Sequence, residues 1–307
     1  MPIFIYSLFF LFIILVVGFL VALYVEASEK KAVFSGLETV LFLVLMPRNE
    51  SKQEADQRKE ERVVISQMEQ VLANFLYLKK PKWMQEAPCV ALEIASQIGG
   101  SDISFYICVP KYLESAFEKY VQGVYPRAII DKVPQDYTVF EPQGATAGAY
   151  LKLKENYLFP ISTYQKLEKD PLSTITNNLS KIAANEGAAI QILIRPLAGV
   201  NLRKNGEKAL AKMREGKSAK SAVSEALRGE FKKMVVETFK GAAKKEKEGE
   251  APKPKEQGYD QVAYEAIQQK IQKQPFEANI RLIASAQNQG RADDILHNLI
   301  SAFSQFS

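Results

Sequence analysis

Residues 211–218 (AKMREGKS) have the spacing of the loosest phosphate-binding loop, small-x-x-x-x-Gly-Lys-Ser, in which successive backbone N–H groups wrap a phosphate. That chemistry needs a buried strand feeding a glycine-rich loop. Here Asn205–Leu210 is polar with helical spacing, and no loop glycine precedes Gly216, so a turn between two basic helices is the better reading. His297 is the single histidine, and any Ser/His/Asp or Cys/His pair would have to use it. Its neighbours at four and three residues, Asp293 and Asp294, give the spacing of a surface helix. Cys89 and Cys108 are too few, with one distant histidine, to build a zinc site, and there is no CxxC. Their places near the outer ends of two expected hairpin strands bring them within reach of a disulfide. Two cysteines in 307 residues are no disulfide framework, however, and a reduced, buried pair in a cytosolic body is expected. The acidic residues fall on amphipathic helix faces, where solvation is the default. Neither an enzyme nor a cofactor or metal site is expected.

The remaining chemistry is electrostatic. The chain carries a net charge of +5, yet Arg203–Lys255 alone holds sixteen Lys or Arg against eight Asp or Glu. Lys232, Lys233, Lys240, Lys244 and Lys245 are the candidate contacts to phosphates of a nucleic acid or to anionic lipid headgroups. Phe231 and Phe239 lie on the apolar stripe rather than among these lysines, so base stacking is not indicated. A partner-contacting or solvated arm is the plainer reading of the same residues.

The elements that must position these groups begin at the membrane. Ile3–Val25 has no charged side chain, and as a helix at ~1.5 Å per residue it reaches ~35 Å, enough to cross a hydrocarbon core of ~30 Å. A cleaved signal peptide, cut after Ala27, is the rival reading. The absence of a preceding Lys or Arg and the length of the run favour an uncleaved anchor, 1–26, followed by a juxtamembrane linker, 27–37. Lys30 and Lys31 on the C-terminal flank place the body in the cytosol and the chain as a single-pass membrane protein.

Residues 38–135 read as β-α-β-β-α-β: a strand over Glu38–Met46, a helix over Asp56–Leu78, a hairpin of Cys89–Gln97 and Ile103–Val109 about Gly99-Gly100, a helix after Pro110, and a strand over Ala128–Val133. That order is the ferredoxin-like, split βαβ arrangement of an α+β fold. An RNA-recognition variant is disfavoured, because the third strand lacks the expected Lys/Arg-Gly-Phe-Gly-Phe type of run. Residues 136–148 read as a linker. Residues 149–307 repeat the pattern in part, with a strand over Tyr150–Asn156, a helix about Leu172–Ile182, a strand over Ala188–Arg195, a strand over Phe276–Ser285 and a helix over Ala292–Phe306. This predicts a second ferredoxin-like domain with its last strand missing and a basic helical arm, 202–257, inserted. Ile94-Ala95-Ser96 and Ile283-Ala284-Ser285 hint at duplication.

The run EIASQIGGSDISFYICVP from Glu93, followed by VQGVYPRA from Val121, resembles the membrane-proximal region of bacterial type IV secretion or conjugative DNA-transfer proteins. QMEQVLA from Gln67, QILIRP from Gln191 and FEANIRL from Phe276 extend the resemblance, which covers roughly Glu38–Ser307. In that family a motor ATPase domain usually continues the chain, and here the sequence stops before it. The resemblance implies a non-enzymatic scaffold or adaptor at the membrane that docks a separate secretion-type ATPase, with homo-oligomerisation open to it. A hydrophobic strand edge in the second domain, completed by another chain, would be the means. A membrane-tethered, sequence-nonspecific nucleic-acid-binding accessory protein acting through the basic arm is the alternative.

Overall fold

The computed structural model describes residues 38–46, 65–74, 88–100, 102–163, 171–197, 201–238 and 260–306. Among them no helix is long and apolar enough to cross a membrane; the expected anchor and juxtamembrane linker lie outside the described residues. The fold is mixed α+β, and the chain forms two compact units. One comprises Met1–Ile94, Ser104–Tyr137 and Leu193–Pro196, the other Ala95–Ile103, Thr138–Ile192 and Leu197–Ser307.

The first unit runs β1 (Thr39–Leu45), α1 (residues 65–74), β2 (Val90–Ser96), β3 (Ile103–Pro110), α2 (Glu114–Val124) and β4 (Ile129–Lys132), in the chain order expected. Its strands lie in the order β4-β1-β3-β2. β1 is antiparallel to both neighbours, with Val40 opposite Val109, Phe42 opposite Ile107, and Leu43 opposite Asp131. Side chains alternate across a strand, so this register sends Val40, Phe42, Ile107 and Val109 to one face. There Phe117 of α2 meets Phe42 with ring centroids 5.0 Å apart, and both are fully buried. Lys132 clamps β4 to Glu114 at the start of α2, 2.6 Å away.

The second unit contains β5 (Ala145–Leu151), α3 (Pro171–Leu179), β6 (Gly187–Pro196) up to Ile192, α4 (Leu202–Arg214), α5 (Ala219–Thr238), α6 (Gln261–Gln272), β7 (Phe276–Ala286) and α7 (Gln289–Ala302). The last strand but two thus starts at Ala145, inside the expected linker, rather than at Tyr150. Its strands follow β6-β7-β5, and β5 is antiparallel to β7 from Ala145 opposite Ala286 to Leu151 opposite Ile280. Leu282, Ala284 and Ala286 are buried on the face covered by α7, whose own buried side chains are Ala292, Ile295, Leu296, Leu299 and Ala302.

Of the expected helical arm, residues 239–257 lie outside the described residues. α4 and α5 pack with α6, a helix the sequence pattern did not announce, around Leu158, Leu210, Met213, Val223, Tyr264, Ile267 and Ile271. Each helix start is fixed where it can be: Asn201 accepts from the Lys204 N–H at 2.9 Å, Asp260 from Ala263 at 3.0 Å, and Asn288 from Arg291 at 3.0 Å, satisfying donors that a first turn otherwise leaves open. Gly206 sets the approach of α4 to α6. A Cβ there would come within 2.3 Å of Cγ2 of Ile271, a β-branched side chain with little freedom to yield. Gly206→Ala should therefore destabilise this three-helix layer by about 1–3 kcal/mol. The double variant with Ile271→Ala should lose less than the sum of the two single changes, because the cavity left by Ile271 receives the new methyl. Urea unfolding of the four proteins measures both; strict additivity would mean that the two residues do not share this space.

Candidate functional site

Of the five lysines singled out in the sequence, Lys232 and Lys233 lie on α5, and Lys240, Lys244 and Lys245 fall outside the described residues. The basic residues nearer the start of this region are largely spent on internal partners. Lys217 and Lys212 share the Glu225 carboxylate, Lys212 also reaches Glu215 at 3.3 Å, Lys220 binds Glu155 at 2.8 Å, and Arg203 binds Glu207 at 3.0 Å. Lys217 first, and then Lys212, hold the Glu225 carboxyl below the usual carboxylate range. The phosphate-loop spacing resolves as a helix end. Gly216 adopts φ +87°, the Gly216 N–H donates to the Met213 carbonyl and the Lys217 N–H to the Lys212 carbonyl, which is the hydrogen-bond pattern of a glycine-terminated helix. The Gly216 and Lys217 amides are thereby taken up by the end of α4. His297 is exposed, and its Nδ1 lies 2.8 Å from the backbone carbonyl of Asp293, not against a carboxylate.

A cluster the sequence reading did not assemble sits in the first unit. Gly99, at φ +75°, closes the β2–β3 hairpin. The hairpin holds Glu93, a carboxylate only 7% exposed, among the side chains of its apolar strand. Tyr137, in the segment after β4, donates its phenol to Glu93 Oε2 at 2.7 Å and stacks on Tyr106 with centroids 4.5 Å apart and planes 8° from parallel. Cys108, two residues on from Tyr106, stands opposite Leu41 on the same strand face. Burial, and then the Glu93 charge and hydrogen bond, push the Tyr137 phenol far above its ordinary range. Burial also raises the Cys108 thiol; a hydrogen bond with Thr39 opposes this in part, and the charges of Glu93 and Asp136 add to it. Both groups therefore keep their protons at neutral pH. The hydrogen bond to Glu93 and the stack on Tyr106 hold the segment after β4 against the hairpin. Its sequence signal was the lone Glu inside VALEIAS; its partner lies 44 residues away and no pattern points to it.

The second unit holds two polar constructions. Arg291, in the first turn of α7, forks onto Glu186 with Nε 2.6 Å from Oε1 and Nη2 3.0 Å from Oε2, while the Ala183 N–H also donates to Oε2 at 3.0 Å. These donors, Arg291 foremost, hold the Glu186 carboxyl below its usual range. The fork pins the start of β6 to α7. On the sheet face away from α7, Tyr150 stands opposite Arg281 in register. The Lys152 ammonium lies 5.0 Å from the Tyr150 ring centroid, and Arg281 reaches Gln191 Oε1 on β6 at 3.4 Å and Asn279 Oδ1 at 3.2 Å. Tyr150 is 60% exposed. Among the described residues no group of three or more His, Cys, Asp or Glu could hold a metal ion.

A family model described as a domain of unknown function (DUF8128) matches residues 52–307, most of the chain. No curated protein matches it.

The Glu93–Tyr137 pair has a measurable signature. Because the folded phenol holds its proton while an unfolded tyrosine ionises near pH ~10, its contribution to stability is complete below that pH and is lost as the pH rises above it. Tyr137→Phe should cost about 1–3 kcal/mol at neutral pH, by leaving a buried carboxylate short of a donor. It should also flatten the alkaline decline of stability. Urea unfolding at pH ~8 and pH ~11 tests this, and parallel declines in the two proteins would remove Tyr137 as the source.

Proposed function

The chain belongs to the DUF8128 family, and we propose that it is a non-enzymatic, membrane-anchored scaffold or adaptor that docks a separate motor ATPase of a secretion-like or DNA-translocating machine. One observation carries this reading. The first unit places its strands β4-β1-β3-β2, and the second places β5, β6 and β7 as β5-β7-β6, the same winding of first, third and second strands. This repetition supports two ferredoxin-like units, the second lacking a fourth strand. In the first unit the fourth strand covers the outer edge of the first. In the second, no described strand pairs with the corresponding edge of β5. That edge, ATAGAYL, carries neither the proline nor the charged side chains with which natural sheets blunt an open edge. A strand supplied by a partner would complete it, main-chain hydrogen bonds giving affinity and side-chain pockets specificity.

The non-enzymatic part of this reading takes its support from the raised thiol and phenol of the first unit and from carboxylates engaged by Arg291, Lys217 and Lys220 in the second. Among the described residues, the ion pairs of this region engage Lys212, Lys217 and Lys220, which are not among the five lysines on which the rival reading, direct binding of nucleic acid by the basic region, rests.

A detergent-solubilised, C-terminally tagged chain should retain an ATPase through nuclease treatment and through salt of ~0.5 M, which releases contacts held by phosphate neutralisation. Gly148→Lys should abolish that retention. A Cβ at Gly148 meets only the Leu282 carbonyl oxygen at 3.6 Å, so the fold has room, yet the new charge stands at the open edge. Recovery of no ATPase, or retention unaffected by the lysine, would overturn docking at β5.

A further inference from the structure

We infer that the exposed sheet face of the second unit, built on Tyr150, Lys152, Gln191 and Arg281, is a contact surface for single-stranded nucleic acid. This goes beyond the adaptor reading and places nucleic acid somewhere other than the basic helical region.

Antiparallel pairing makes the surface. With Tyr150 opposite Arg281, and Arg281 bonded to Gln191, an aromatic ring, a guanidinium and an amide stand in a row across β5, β7 and β6, two inter-strand spacings or ~10 Å. Lys152, the residue that follows the end of β5, brings its ammonium over the ring. Such a row offers what an unpaired nucleotide requires. The flat ring presents a stacking surface to any base, the two cations flank it where the phosphates must run, and Gln191 and Asn279 add amide groups able to meet base edges. Glu277 is the acidic residue on this face of β7, four residues from Arg281 and beyond the row itself.

The exposure of Tyr150 is the feature that needs a cause. The residues on β5 that face α7 are small, Ala145, Ala147 and Ala149, whereas the one aromatic side chain of the strand points to water. A large ring left 60% exposed between two cations gains little from the fold. Duplex nucleic acid hides the faces of its bases in its own stack and cannot use that ring, so the surface should distinguish single from double strands. An acidic polypeptide could satisfy Lys152 and Arg281 but would leave the ring without a stacking partner.

The full chain, purified in detergent, is titrated into a dye-labelled thymidine oligomer of about twelve nucleotides and into the matching duplex, with anisotropy as the readout. Single strand should bind at least about tenfold more tightly than duplex. Tyr150→Ala should weaken single-strand binding by about tenfold or more, while Tyr150→Phe, which keeps the ring, binds as the parent does. Arg281→Gln should flatten the dependence of log affinity on log salt by about 0.7, the value for one phosphate contact on a single strand. Equal binding of duplex, an unaltered affinity in Tyr150→Ala, or displacement by polyglutamate as effective as by unlabelled oligomer would each overturn the inference. So would loss of binding in a Lys232→Gln/Lys233→Gln variant that Tyr150→Ala does not share, which would return the contact to α5.

Discussion

The second unit depends on one pairing, the register of β5 against β7. It joins residues more than a hundred positions apart in sequence, with α3, β6 and the three-helix layer of α4, α5 and α6 all strung between them. Because side chains alternate with period two, a slip of one residue would turn Leu282, Ala284 and Ala286 to solvent and Arg281 toward α7. The side chains make such a slip costly. Three buried small or aliphatic residues would lose their cover, and a guanidinium would enter an apolar layer without a carboxylate. Ser285 reinforces the register from the end of the strand: its Oγ accepts from the Glu141 N–H at 2.9 Å and donates to the Ala145 carbonyl at 3.3 Å. A slipped strand would strand a buried hydroxyl. The same register that seats α7 therefore also aligns Tyr150 with Arg281.

Polar groups inside the two units are placed so that their charge or proton is fixed rather than mobile. Glu186 receives the Arg291 fork and a backbone donor, a geometry that favours the ionised carboxylate. Lys270 is the opposite case: burial drives its ammonium toward the neutral form, and it donates to the Phe159 carbonyl at 3.0 Å, linking α6 to the segment that carries Leu158. Tyr137 shows the same economy in the first unit, where a phenol that will not ionise is a dependable donor to a buried carboxylate.

How far the sequence discloses this fold follows from the range of the interactions. Strands with a continuous apolar run or clear alternation, such as ETVLFLVLM, ISFYICVP and AAIQILIR, announce themselves locally, and the hairpin is marked by Gly99-Gly100. α7 was legible from Ile295, Leu296 and Leu299 at helical spacing. α6 was not, because its buried residues, Tyr264, Ile267 and Ile271, are three among glutamines and lysines and follow a charged, proline-containing stretch that reads as linker. β5 was misplaced by several residues because ATAGA has small side chains with no alternation to read, and only pairing with β7 defines it as a strand. The candidate contacts divide in the same way. The excess of lysine between Arg203 and Lys255 is visible as composition, but the pairing of Lys220 with Glu155 and of Lys212 and Lys217 with Glu225 depends on tertiary contacts. The alternation of Leu151 and Leu153 with Lys152 and Lys154 reads as an edge strand, while Arg281 and Gln191 join Tyr150 and Lys152 only through the sheet.

The two units use a sheet face opposite their helices in different ways, and a comparison of the two tyrosines shows why one face is closed and the other available. Tyr137 stacks on Tyr106 and donates to Glu93, so its ring and its hydroxyl are both engaged by the unit's own residues. The Tyr150 ring is met by the Lys152 ammonium at 5.0 Å, in water. An exposed cation–π contact of this kind is worth about 0.5–1 kcal/mol, whereas a base stacked on an aromatic side chain contributes about 1–3 kcal/mol. A base can therefore displace the ammonium from the ring at a net gain. The displaced lysine then lies beside the phosphate that the base brings with it, so the charge is transferred from one attractive contact to another rather than left unpaired. The internal contact thus holds the ring and the cation in position until a stronger occupant arrives.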